Sequence, residues 1–199
     1  PQKTLADLRD HLARHDKPIA FLFGAGTSCA VRIPVEGTEE TKPLIPAIAQ
    51  LTETCRADAI AQDAKYEDAW TTIESHCLAN GADKYIESVL TRLRMMISAA
   101  GVDDTLAGLT RDEIIGLELS VRKSIATAVS PNVDSIPDGL PHRKLARWLA
   151  RTSRQSPVEI FTVNYDVLFE HALESERVPI FDGFTGSFRP FFHADSLRR

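Results

Sequence analysis

The chain has no pair of closely spaced cysteines. Its three, Cys29, Cys55 and Cys77, stand far apart. Neither a zinc ribbon nor a disulfide framework is indicated, and such usage fits a reducing, cytoplasmic setting. No apolar run approaches the about 20 residues that a membrane helix needs. Residues 1–16, PQKTLADLRDHLARHD, are too charged for a signal peptide. The missing initiator methionine reads as a processed or trimmed start. Positive charge is also scarce, with 23 Lys and Arg against 28 Asp and Glu. An acidic chain gains little from counterion release on a polyphosphate, so direct nucleic-acid binding is not expected. The densest basic cluster, Arg143, Lys144, Arg147, Arg151 and Arg154, reads as a solvated helix face.

What is present is enough apolar material, 43% of 199 residues, for one sizeable core and a second helical lobe. Leu5, Leu8 and Leu12 predict a helix over 4–15, broken by Pro18. Ile19-Ala-Phe-Leu-Phe23 then reads as a strand buried on both faces of a parallel sheet. It runs straight into Gly24-Ala-Gly-Thr-Ser28, with a helix expected from near Ser28. Pro43 and Pro46 delay the next helix to about Ala47. Residues 66–130 are helical in pattern, with no strand signal. Trp70 and Ile73 mark one segment and Val89, Leu93 and Met96 another. Thr110 with Glu113 forms a capping box opening a third.

A turn-rich stretch over 130–141 closes this block. Helix is expected over 142–154, a buried strand over 158–163 and a helix from Val167. A short strand over 179–181 precedes a Gly- and Phe-rich loop over 182–199. The predicted fold is α/β: a Rossmann-like parallel sheet built from 1–34 and 142–199, with 35–141 as a helical insertion.

Two segments carry chemistry. The first is strand–GAGTS–helix. Glycines permit a sharp turn and close approach of a ligand, and a following helix directs free N–H groups and its dipole at the loop. That suits a pyrophosphate. Cys29 stands where the third glycine of a dinucleotide fingerprint would be, and no acidic residue ends a second strand as a dehydrogenase requires. No GK[ST] follows, so a P-loop NTPase is not expected. A tight turn with Ser28 as N-cap is the plainer reading. The second segment is Phe161-Thr-Val-Asn-Tyr-Asp166, polar residues at another strand end, where ligands of open α/β sheets bind. Its plainer reading is a turn at Asn164 and a helix cap at Asp166.

Taken together, GAGTS, Arg32-Ile-Pro34 and Thr162-Val-Asn-Tyr-Asp166 resemble the sirtuin signature of a GAG-S loop, a G-I-P stretch and a T-x-N-x-D strand end. The nearest likeness is to bacterial sirtuin-like NADases of antiphage defence, with Phe181-Asp-Gly-Phe-Thr-Gly186 as a further shared feature. The resemblance covers 19–34 and 157–193. It implies NAD⁺ as substrate and hydrolysis to nicotinamide and ADP-ribose. It implies that Gly24, Ala25, Gly26, Thr27 and Ser28 cradle the diphosphate and that Asn164 positions the nicotinamide ribose or the attacking water. Asp166 would accept from the carboxamide, Thr162 would support the strand end, and Arg32, in place of the usual glycine, would contact a phosphate, with an ordinary surface arginine as its plainer reading. Deacetylation is not expected, because the zinc ribbon of sirtuin deacetylases is missing.

The family's catalytic histidine lies in an L-H-G motif that does not occur here. We therefore expect the general base beyond Arg199; His193, in Phe-His-Ala, is the nearest candidate by position. His11, His15, His76, His142 and His171 fall in helical contexts and are expected to do no chemistry. Cys29 reads as a small buried residue, and Trp70 and Trp148 as core. The resemblance also implies a homo-oligomer and control by a partner such as a HerA-type ATPase or an argonaute-like protein. The alternative is a non-catalytic sensor of NAD or ADP-ribose; a deacylase or ADP-ribosyltransferase is the third reading.

Overall fold

The computed structural model describes residues 2–186 and 188–197. Pro1, and Ser187, Arg198 and Arg199 of the expected C-terminal loop, lie outside them. In chain order the elements are α1 (Gln2–Leu12), β1 (Ile19–Phe23), α2 (Ala25–Cys29), β2 (Arg32–Pro34) and β3 (Thr41–Pro43). Then come α3 (Ile48–Gln62), α4 (Tyr66–Ala79), α5 (Ile86–Ala99), β4 (Thr105–Leu106), β5 (Leu109–Thr110) and α6 (Arg111–Val129). The chain continues with α7 (Pro141–Arg151), β6 (Val158–Thr162), α8 (Leu168–Ser175), β7 (Phe184–Thr185) and β8 (Phe191–Phe192). They divide into two compact units, residues 1–31 with 137–199, and residues 32–136.

The first unit is mixed α/β around a parallel pair. β1 and β6 align from Ile19↔Val158 to Phe23↔Thr162. Val163 N extends the ladder to Phe23 O at 3.3 Å. Odd-numbered residues of β1 face inward: Phe21 meets Trp148 of α7 edge-on, and Phe23 meets Phe169 of α8 at 4.5 Å between centroids. Even-numbered residues of β1 face out, and so does Phe161, the β6 partner of Leu22, leaving Leu22 77% and Phe161 55% exposed. The strand expected to be buried on both faces is therefore covered on one. Side chains alternate in a strand, so helices on a single side hide only every second residue.

Pro141 opens α7, where its missing N–H costs nothing. Arg143 and Arg147 of α7 both reach Glu176 Oε1, at 3.1 and 2.9 Å, tying α7 to the end of α8. Arg154 donates to the carbonyl of Leu12 at the end of α1 and to those of Arg14 and Lys17 beyond it, and lies over Trp148. Three members of the basic cluster read as a solvated face thus hold the unit together. A guanidinium offers several directed donors, so it collects carboxylates and carbonyls that a lone point charge does not. Residues 179–181 form no strand; the chain pairs instead at Phe184↔Phe192 and Thr185↔Phe191.

The second unit is a helical core with two short hairpins. Trp70, Ile73, Leu93, Ile114 and Leu117 are fully buried where α3 to α6 meet; each Leu or Ile so buried stabilises by about 1.5–3 kcal/mol. The capping box forms as expected: Thr110 Oγ1 accepts from Glu113 N, and Glu113 Oε2 from Thr110 N at 2.8 Å. The block is not wholly helical. Thr105–Leu106 and Leu109–Thr110 pair across a tight turn with Ala107 at φ 53° and Gly108 at φ 77°. Two successive positive φ values suit a two-residue hairpin loop. Strands of two residues carry no periodicity to read.

Candidate functional site

Because β1 and β6 run parallel and in register, their carboxyl ends finish level. Gly24 and Val163 follow the last paired residues, so both motif segments leave the sheet side by side. The GAGTS segment is not a loop leading to a helix at Ser28. Gly24 is extended (φ −113°, ψ −177°), and Ala25–Cys29 already form the helix α2. Thr27 ties its start, with both its backbone N and its hydroxyl donating to Gly24 O, at 3.0 and 2.7 Å. A five-residue helix has few aligned peptides, so the dipole contributes little to anion binding.

The glycines also play a different part from the one expected. Neither Gly24 nor Gly26 has a left-handed φ, and a Cβ at either would meet nothing within 4 Å. The backbone does not require glycine at these positions. What glycine provides is open space beside them.

Ser28 is 1% exposed and turns inward. Its Oγ accepts from Asn164 Nδ2 at 2.7 Å, and the same nitrogen reaches Thr27 Oγ1 at 3.2 Å. Asn164 is held from below as well, since its backbone N donates to Thr162 Oγ1 at 3.0 Å. The amide is thus anchored through its nitrogen, while its buried Oδ1 has no hydrogen-bond partner among the described residues. A buried acceptor without a donor costs about 1–3 kcal/mol. Asp166 is 8% exposed and accepts from Leu168 N at 3.2 Å, at the start of α8. It is not the helix cap expected, since Val167 is the N-cap of α8 and Asp166 lies one residue before it; its carboxylate is buried two residues from Asn164.

The two segments therefore bring together Gly24, Ala25, Gly26, Thr27, Ser28, Thr162, Asn164 and Asp166. Arg32 belongs to the second unit, where Nε donates to Thr41 Oγ1 at 3.2 Å and Nη2 to Thr41 O across the β2–β3 hairpin. That guanidinium serves the hairpin. His193 is exposed, its N bonded to Gly183 O at 2.7 Å and its ring edge-on to Phe191. Cys29 is half-buried and not fully enclosed.

Sequence reasoning passed over His142. It is the second residue of α7, 5% exposed, with its ring edge-on to Phe169 at 4.4 Å between centroids. Neither ring nitrogen has a hydrogen-bond partner among the described residues. Burial pushes its pKa down, and the nearby Asp166 carboxylate opposes that shift in part. A histidine near a helix start carries no sequence signal of such a neighbour.

Two surface grooves of about 380 Å³ each lie elsewhere, one lined by Leu5, Leu8, Leu12 and Trp148, the other by Thr52, Glu74 and Tyr85. Among the described residues no group of three or more His, Cys, Asp or Glu is placed to hold a metal ion. None of their helices is long and apolar enough to cross a membrane. No protein-family model matches the chain, and no curated protein matches it.

Proposed function

We propose that the chain carries the NAD⁺-binding part of a Rossmann-like, sirtuin-type domain and hydrolyses NAD⁺ to nicotinamide and ADP-ribose. The observation that carries this reading is the bond from Asn164 Nδ2 to Ser28 Oγ, which joins the two segments behind the family resemblance. Open space beside Gly24 and Gly26 supports a diphosphate lying against bare backbone. The unpartnered Asn164 Oδ1 supports a pre-aimed acceptor for a ribose hydroxyl or for water.

The chemistry makes modest demands. Nicotinamide leaves as a neutral ring, taking the electron pair of the glycosidic bond. The ribose passes through an oxocarbenium-like state, as in glycoside hydrolysis. Water then forms the new C–O bond and gives up a proton, yielding ADP-ribose. The protein needs mainly to hold the ribose and leaving group and to place the water. Asp166 would accept from the carboxamide, fixing the ring that leaves. By the same resemblance the protein is a cytoplasmic antiphage-defence effector, controlled by self-association or by a HerA-type or argonaute-like partner.

The test is NAD⁺ consumption by wild type and Asn164→Ala, alone and with the protein encoded beside it. Release of nicotinamide and ADP-ribose by wild type, lost in the variant, is the expected result. NAD⁺ binding without turnover would replace the enzyme by a sensor. No binding at all would reduce the resemblance to a shared local architecture.

A further inference from the structure

We infer that Thr27 is a positioning residue of this site: its hydroxyl fixes which end of the Asn164 amide the chain leaves unclaimed, and its side chain does not hold the diphosphate. The inference rests on the NAD⁺ reading above. A hydroxyl carries one hydrogen and two lone pairs. The Thr27 hydrogen is committed to Gly24 O at 2.7 Å. Toward Asn164 Nδ2, 3.2 Å away, Thr27 Oγ1 therefore acts only as an acceptor. It accommodates the amide nitrogen and repels the amide oxygen.

Ser28 makes no such distinction. Its Oγ accepts from Asn164 Nδ2 at 2.7 Å, and among the described residues its own hydrogen has no acceptor. Were the amide turned over, Ser28 could donate to Oδ1 instead. Thr27 would then meet Oδ1 with a lone pair, or give up Gly24 O to turn its hydrogen round. Either costs roughly one hydrogen bond, about 1 kcal/mol, so the orientation with Nδ2 inward prevails. The amide nitrogen has two hydrogens, enough for both hydroxyls. Oδ1 is then the group left without a partner among the described residues.

The hydroxyl is itself firmly placed. Gly24 O takes the Thr27 backbone N at 3.0 Å as well, so the side chain follows the end of β1. Phosphate oxygens only accept, and Thr27 has no hydrogen left to offer one. What it contributes is an Asn164 that presents an acceptor, as a hydroxyl of the ribose next to nicotinamide requires. Turned over, the amide would present N–H groups in its place.

The experiment uses the full 199-residue chain and two probes, ADP and ADP-ribose, which differ by that second ribose. Thr27→Val keeps the shape and removes the hydroxyl, Thr27→Ala serves as a second hydroxyl-free variant, and Thr27→Ser keeps the hydroxyl. Without the hydroxyl, affinity for ADP-ribose relative to ADP should fall about tenfold, the loss of roughly one hydrogen bond. Thr27→Ser should restore the wild-type ratio. In an Asn164→Ala background Thr27→Val should change the ratio no further. In parallel, the side-chain amide protons of Asn164, identified by their absence from Asn164→Ala, are followed by NMR. They should exchange slowly in wild type and Thr27→Ser, and about tenfold faster in Thr27→Val. Equal losses of ADP and ADP-ribose return the Thr27 side chain to the diphosphate and overturn the inference. An unchanged ratio, or a change that persists without Asn164, overturns it too. Amide protons that ignore Thr27→Val overturn the lock whatever the nucleotides do. Wild type that binds neither probe overturns the NAD⁺ reading and the ribose role with it, while the NMR arm still reports on the lock.

Discussion

Asn164 donates through Nδ2 to the buried hydroxyl of Ser28 at 2.7 Å, across 136 positions of sequence. The bond closes the ends of two parallel strands over one another. It also settles which end of the amide looks away from the protein's own donors: Oδ1 is left unpartnered.

Ser28→Ala and Asn164→Ala should therefore be coupled. Each alone strands a buried partner at a cost of about 1–3 kcal/mol. The double variant should cost less than their sum, with an interaction energy on the order of 1 kcal/mol. Urea unfolding of the four proteins measures this. Strict additivity would show that the two side chains do not hold each other in solution.

Gly26→Ala separates folding from binding. Gly26 lies inside α2 with an ordinary φ and room for a methyl, so alanine should stabilise the chain by about 0.5–1 kcal/mol. The same methyl enters the space assigned to the diphosphate, and NAD⁺ affinity should fall at least about tenfold. Calorimetric titration beside a thermal melt reads both. A stabilised variant that binds NAD⁺ as wild type would move the diphosphate elsewhere.

In the second unit the Lys65 ammonium, 2.9 Å from Glu113 Oε1, together with the Thr110 donors, holds the Glu113 carboxyl well below its ordinary value, at about 2. The folded pKa lies below the unfolded one. The stability it contributes is thus full above about pH 4.5 and is lost as pH falls toward about 2. Glu113→Gln should flatten that acid limb of the unfolding curve, and the two proteins should converge at the acid end. Solvent exposure of the pair keeps the effect small. Parallel limbs for wild type and variant would assign the acid sensitivity to other carboxylates.

Much of the architecture was readable along the chain. Leu5, Leu8 and Leu12 announced α1, and Thr110 with Glu113 announced the start of α6. Runs of β-formers gave both strands of the parallel pair. Each is a local signal, carried by spacing or by a pair three residues apart. What was misread depends on neighbours. The exposure of Leu22 follows from which face the helices cover. Arg143, Arg147 and Arg154 look like a solvated stripe until Glu176 and the carbonyls after α1 arrive from far along the chain. The burial of His142 was not legible because Phe169, which its ring meets edge-on, lies 27 positions away.

The sequence by itself determined the two polar segments that end in GAGTS and TVNYD, their strand contexts and the helical block between them. Motif chemistry and periodicity are properties of adjacent residues, so one dimension suffices to read them. Only the tertiary structure decided that Ser28 faces inward to Asn164, that Arg32 serves a hairpin of the other unit, and that the buried His142 ring packs on Phe169. Those outcomes are set by strand register, by burial and by partners remote in sequence, and such distances exist only once the chain has folded.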